Sequence, residues 1–191
     1  ITLDERPVKT PDKQALVLPS RQLAEAVANE WRAQTDDIVP DSMPLTRMCN
    51  TTIDRVAPRR EIIIRELVVY AHTDLLCYHD EEEKELFKLQ QTQWQPVLIW
   101  LRDAYGISFK STSGIIPATQ SEKAITALTK LVSELSDYEL TAFHAFVTGF
   151  GSLALGLAVI KGFKTFEESW QASTLEQTFQ EQAWGTDSEV E

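Results

Sequence analysis

The sequence predicts a mostly α-helical fold with a short extended piece at its N-terminus. Three observations predict it. Apolar residues recur at helical spacing from Ser20 onward. Three Ser/Thr-x-x-Glu pairs stand ahead of apolar runs, at Thr119/Glu122, Ser136/Glu139 and Thr165/Glu168, and each reads as a capping box. Only residues 1–18 break the helical pattern, with short apolar runs punctuated by proline.

In that first stretch, Thr2-Leu3 and Pro7-Val8-Lys9-Thr10 flank Asp4-Glu5-Arg6, a plausible hairpin turn, and Leu16-Val17-Leu18 follows Pro11-Asp12-Lys13. So small a piece is not stable alone. It must pair with other strands or lie on the helices. Leu23, Val27 and Trp31 then mark one helix face, capped by Ser20. Pro40 and Pro44 bracket the next start, and Met48, Thr52, Ile53 and Val56 give a second face that Pro58 is expected to end.

Ile63, Ile64, Leu67, Val68, Ala71, Leu75 and Tyr78 read as one helix, supported by Glu61 and Arg65 four apart. After the acidic run at 80–83, the pattern resumes from Leu86 through Trp94 and Val97 to Tyr105. Pro96 should kink or restart it, and Gly106 should stop it. Residues 107–116 read as a loop or extended link. The three capping boxes then introduce Ile125 to Leu135, Phe143 to Phe150, and Trp170 with Leu175 and Phe179. Residues 140–160 hold no Asp, Glu, Lys or Arg, but Gly149 and Gly151 interrupt them. A buried helix pair fits better than a membrane span.

The chain has 191 residues and a formal net charge of -11. That charge argues against nucleic acid and against an anionic membrane surface as partners. Cys49 and Cys77 are too few for a disulfide framework and lie in apolar helical patterns, which fits a reducing compartment. No phosphate-binding loop, dinucleotide fingerprint or nucleophile elbow is present. The one constellation with metal-ligand chemistry is His72, Cys77 and His79, with Asp74 and Asp80 nearby. Positions five and seven apart do not share a helix face, so Cys77 reads as a core residue and His79 as an exposed one. No catalytic residue, cofactor or metal is assigned; a helical-domain enzyme or metal-binding protein using those three residues stands as the alternative.

Charge distribution says more. Residues 165–191 contain seven acids (Glu167, Glu168, Glu176, Glu181, Asp187, Glu189 and Glu191) and no Lys or Arg. They read either as a solvated helix face with a frayed tail or as a docking surface for a basic partner, with Phe179 and Trp184 as aromatic anchors. Conversely, Arg47, Arg55, Arg59, Arg60 and Arg65 stand against only Asp54 and Glu61 between residues 47 and 65. That strip could hold the acidic tail within the chain or face an acidic surface on a partner.

Several stretches, in order along nearly the whole chain, resemble one family. They are Leu3-Asp-Glu-Arg-Pro-Val-Lys-Thr-Pro11, Leu16-Val-Leu-Pro19, Ala26-Val-Ala-Asn-Glu-Trp31, Met43-Pro-Leu-Thr-Arg47, Asn50-Thr-Thr-Ile-Asp54, Asp74-Leu-Leu-Cys-Tyr78, and Ala172-Ser-Thr-Leu-Glu176 through Trp184-Gly185. They resemble the assembly chaperones that act on the alpha subunit of the F-type ATP synthase head in mitochondria and alpha-proteobacteria. The resemblance implies a small N-terminal α+β domain of hairpin strands and helices at 1–57, with first strands that would precede Ile1, and an all-helical domain at 58–191. It also implies a non-enzymatic protein of the mitochondrial matrix or bacterial cytoplasm, and a monomer is expected. That protein would bind unassembled alpha subunit and keep it from aggregating until the beta subunit takes its place. The expected partner-binding residues are Glu176, Glu181, Trp184 and Asp187.

Overall fold

The computed structural model describes residues 2–3, 6–113 and 118–184, without the side chains of Leu3, Ala183 and Trp184. The protein is mostly helical, with a few two-residue strands, and its chain divides into two compact units. One comprises residues 1–63 and 135–142, the other residues 64–134 and 143–191.

In the first unit, β1 (Thr2–Leu3) pairs antiparallel with β2 (Arg6–Pro7), setting Thr2 opposite Pro7 and Leu3 opposite Arg6. Asp4 and Glu5 lie outside the described residues. The chain then folds back, with Lys9 bridged antiparallel to Ala15, and the turn between them is tied to a helical segment: the Thr10 hydroxyl donates to Asp54 Oδ1 at 2.6 Å and the Asp12 N–H to Oδ2 at 3.1 Å. Leu16 is buried with Val27 and Cys49, and Val8, Leu18, Leu23, Trp31, Leu45, Ile53 and Tyr138 pack around them. An extended piece too small to fold alone thus gains its stability by burying its apolar side chains on helices.

Helix α1 (Arg21–Arg32) starts where Ser20 accepts the Leu23 N–H at 3.2 Å. Its Glu30 caps the next helix: one carboxylate oxygen accepts the Leu45 N–H and the other the Thr46 N–H, each at 2.7 Å. That matters because α2 (Pro44–Thr51) follows Met43, whose side chain makes no cap bond. Pro58 does not end the helical path. The chain runs from α2 through a π segment (Thr52–Val56) and a 3-10 turn (Ala57–Arg59) into α3 (Arg60–Val69). Pro58 sits in the first turn of the 3-10 segment, where a missing N–H does least harm.

In the second unit, the helix expected to reach Tyr78 stops early. After α3, a 3-10 turn (Tyr70–His72) and a second one (Leu75–Cys77) lead into β3 (Tyr78–His79), which pairs in parallel with β4 (Thr112–Ser113). Asp74 causes the break: buried at 0% exposure, it accepts the Leu76 N–H at 3.0 Å and caps the second turn. Helix α4 (Lys84–Gln93) restarts as α5 (Gln95–Tyr105), with Pro96 in the first turn of α5, as the sequence predicts. Gly106 ends α5 in the left-handed region at φ 67°.

Helix α6 (Glu122–Ser133) is capped by Ser121, which accepts the Ala124 N–H at 3.2 Å. This corrects the capping box expected at Thr119, because the helix starts two residues later. The other two boxes form. Ser136 and Glu139 exchange bonds at the start of α7 (Asp137–Phe150), and Thr165 and Glu168 do so at the start of α9 (Phe166–Ser173). Between them, α8 (Leu153–Ile160) is separated from α7 by Gly151 at φ 64°. Residues 153–158 of α8 are all buried, and no described helix is long and apolar enough to cross a membrane. Gly156 is required by space: a Cβ there would sit 3.0 Å from Phe143 and Val147 side-chain atoms. Helix α10 (Leu175–Trp184) completes the described chain.

Candidate functional site

The acid-rich C-terminal segment is built on α9 and α10. The Glu168 carboxylate accepts the Thr165 N–H at 2.7 Å while the Glu168 N–H donates back to the Thr165 hydroxyl at 3.1 Å. The Thr165 N–H is the main influence holding the Glu168 carboxyl below its ordinary value. This acid is therefore committed to its helix terminus. Glu167 and Glu181 are exposed, and Glu181 accepts the Gln177 side-chain amide at 2.9 Å. Trp184 closes α10, and Asp187 lies outside the described residues.

Glu176 faces a different setting. It is half-buried and accepts the Gln90 side-chain amide at 2.8 Å, while the Gln90 carbonyl oxygen accepts the Asp80 N–H at 3.0 Å. Gln90, itself at 0% exposure, thereby ties α10 to the loop before α4. Between these elements lies an open cleft of about 890 Å³, lined by Tyr78, His79, Asp80, Glu81, Glu82, Ser113 and Glu176. No Lys or Arg stands among these residues. Asp80 also accepts the N–H groups of Glu82 and Glu83, each at 3.0 Å, so it shapes its own turn.

Burial raises the Glu176 carboxyl above 4.5; the Gln90 bond pulls it down and the Asp80 charge pushes it up again. A raised folded-state value means that Glu176 favours folding fully in acid, and that this contribution is lost as pH rises through the raised value. Gln can replace Glu here and still accept from Gln90. Glu176→Gln is expected to melt about 1–2 °C above wild type at pH 8, with the difference vanishing near pH 4. Melting curves across that range check this.

Three arginines of the strip pair with acids of their own unit. Arg47 pairs with Asp41 at 3.0 Å, Arg55 with Asp12 at 3.4 Å and Arg60 with Asp137 at 2.7 Å. His72, Cys77 and His79 do not form a ligand set. His72 is exposed, whereas Cys77 and His79 are buried, and no metal-competent group of three His, Cys, Asp or Glu occurs among the described residues. The expectation that His79 is exposed is corrected: it is 8% exposed, with its ring 5.9 Å from Phe87 and 6.1 Å from Trp94. Burial lowers its proton affinity, against the opposing charge of Glu81. Burial pushes the Cys77 thiol far up and the Cys49 thiol up to about 11, so neither is a ready nucleophile.

The fold assembles an aromatic group from α7 and α9 that sequence spacing alone does not bring together. Phe146 and Phe150 of α7 stack at 5.8 Å, Phe150 meets Phe166 of α9 at 5.6 Å, and Phe166 stacks on Trp170 at 6.2 Å. Phe166 and Trp170 are 45% and 48% exposed. The i, i+4 spacing of the last two was a usable signal, but Phe146 joins them only through the fold.

A family model for the ATP12 chaperone protein matches residues 1–102. The chain belongs to the ATP12 chaperone family. This is the family of ATP synthase assembly chaperones that its ordered motifs resemble, and its members are named as chaperones, not enzymes. Atp12 from Paracoccus denitrificans has the same fold, with a TM-score of 0.95 and 39% identity over 99% of this chain and 81% of that one. The Atu1473 protein of Agrobacterium tumefaciens follows with a TM-score of 0.91 and 33% identity, over 99% and 71% of the two chains. Protein atp12, mitochondrial, of Schizosaccharomyces pombe is 25% identical over 198 residues, 97% of this chain and 68% of that protein. These mitochondrial and bacterial relatives fit a mitochondrial matrix or bacterial cytoplasmic location.

Proposed function

We propose that this ATP12-family chaperone binds the unassembled alpha subunit of the F-type ATP synthase head and keeps it from aggregating until the beta subunit takes its place. The observation that carries this reading is the acid-only C-terminal segment, which displays Glu181 to solvent on α10 and sets Glu176 at the edge of an acidic cleft in a member of an assembly-chaperone family. An orphan subunit exposes the apolar surface meant for its neighbours, and such surface aggregates. A chaperone that covers it must also leave. An interface of moderate size, steered by charge, holds the client without competing with the final partner. Binding and release of this kind need no cofactor and no hydrolysis by the chaperone.

The partner-binding residues in this reading are Glu176, Glu181, Trp184 and Asp187. Isolated alpha subunit should stay soluble when the chaperone is added without ATP, and should scatter light when it is not. Glu181→Lys and Asp187→Lys are each expected to weaken capture of alpha subunit about tenfold. Glu181→Lys should leave the melting temperature unchanged, because Glu181 is exposed and, among the described residues, bonds Gln177 on its own helix face. Wild-type capture by both variants would remove the site assignment. Equal light scattering with and without chaperone would remove the client.

A further inference from the structure

We infer that Gln90 is a positioning residue for client binding: it holds Glu176 of α10 and the acids at 80–82 as two walls of one cleft, so that a Lys or Arg of the client meets both together. This rests on the client reading above, in which Glu176 is a partner-binding residue. Gln90 stands out in its own surroundings. Leu86 and Trp94, four residues to either side, are buried apolar side chains, and helical spacing would place another apolar residue between them. Instead a wholly buried amide stands there. A buried amide has to be hydrogen-bonded. This one uses both ends on distant parts of the chain: its oxygen accepts the Asp80 N–H at 3.0 Å, and its N–H donates to the Glu176 carboxylate at 2.8 Å.

Charge explains why the two walls need a tie. Asp80, Glu81, Glu82 and Glu176 line the cleft, while Lys84, Lys110 and Lys164, the cations nearest in sequence to the lining stretches, do not. Like charges on separate elements push them apart, and the Asp80 charge already acts on the Glu176 carboxyl. The two Gln90 bonds oppose that separation. One Glu176 oxygen accepts from Gln90, and among the described residues the other takes no hydrogen bond, which leaves it for a donor from outside. Acids held at one spacing leave less to be ordered when a partner binds.

The test uses Gln90→Met, Glu176→Gln and their double variant in the full chain. Met keeps the length and apolar fit of the position and removes both bonds. The probes are isolated alpha subunit and a fluorescently labelled octalysine peptide. Each single variant should bind both probes about tenfold more weakly than wild type, and the double variant should lose no more than Gln90→Met alone, because Gln90 acts through Glu176. A merely structural Gln90 would lower the melting temperature and leave the affinity of the folded protein at the wild-type value, or would multiply its loss with that of Glu176→Gln to about a hundredfold. Either result overturns the inference. Where Gln90→Met does not fold, Gln90→Glu takes its place: it keeps the acceptor for Asp80 but sets a second carboxylate against Glu176. It too should lose about tenfold for alpha subunit, and wild-type affinity overturns the inference equally. If octalysine shows the non-additive losses while wild type does not bind alpha subunit, the positioning role stands and the named client fails. If Gln90→Met and wild type bind alpha subunit equally, the client stands and the positioning role falls.

Discussion

Trp94→Ala is expected to destabilise the protein by about 4 kcal/mol and to lower its melting temperature by about 10 °C. Trp94 is the junction between α4 and α5, where its N–H closes α4 onto the Gln90 carbonyl at 2.8 Å and its own carbonyl accepts the Val97 N–H at 3.0 Å. Its side chain is fully buried. The indole N–H donates at 2.8 Å to the Ala172 carbonyl in the last turn of α9, one of the carbonyls that a helix end leaves without a partner. Truncation therefore opens a cavity and strands a buried acceptor at once. Trp94→Phe separates the two effects. It keeps most of the ring volume and loses the donor, so it should cost only about 1–2 kcal/mol. Denaturant unfolding of both variants tests the division; equal losses would mean that the hydrogen bond, not the packing, dominates.

Most helices were legible because their signals are local. Ser20, the Ser136/Glu139 and Thr165/Glu168 boxes, Pro96 and Gly106 each act within one turn of chain, and each does in the structure what its chemistry predicts. The misses have a common cause in distant partners. Ile63 to Tyr78 keeps helical spacing throughout, yet the helix breaks because Asp74 finds acceptor roles with residues 152 and 154. His79 was expected at the surface because its environment was read from a helical period. The chain there is a two-residue strand, and its pairing with Ser113 and packing beside Phe87 and Trp94 bury the ring. Pro58 reads as a stop because proline disfavours helical backbone in the residue before it, but Ala57 keeps helical angles, at φ -56° and ψ -46°.

The candidate site divides along the same line. Its charge was legible, since absence of Lys and Arg over residues 165–191 is a property of composition. Its shape was not. That Glu176 shares a cleft with Asp80, Glu81 and Glu82 depends on Gln90 bridging residues 80 and 176. That Phe146 meets Phe166 depends on α7 and α9 coming together in the fold, and Gly156 of α8 lies close against Phe143 and Val147 of α7. Gly156→Ala should accordingly be unfavourable despite alanine's better helix propensity, because its methyl group would meet those side chains at 3.0 Å.

Asp74→Ala should cost about as much as Trp94→Ala, roughly 4 kcal/mol, through hydrogen bonding rather than packing. Asp74 is wholly buried in the second unit. One carboxyl oxygen accepts the Ser152 hydroxyl at 2.8 Å and the Leu76 N–H at 3.0 Å, and the other accepts the Ala154 N–H at 3.0 Å. Ser152 in turn accepts the Leu155 N–H at 3.0 Å, and the Leu75 N–H donates to the Gly151 carbonyl at 3.1 Å. One side chain therefore caps both α8 and the Leu75–Cys77 turn and fixes the break between α7 and α8. Alanine takes this acceptor away from the buried Ala154 and Leu76 N–H groups and the Ser152 hydroxyl. Burial raises the Asp74 carboxyl above its ordinary value, against the pull of the donors from Ala154, Ser152 and Leu76. Asp74→Asn keeps the shape of the side chain and isolates the acceptor count. Asparagine restores one oxygen but turns an amide donor toward a second donor, so its cost should fall to about 2 kcal/mol. Wild-type stability of Asp74→Ala in urea would show that α8 and the Leu75–Cys77 turn hold without their shared cap.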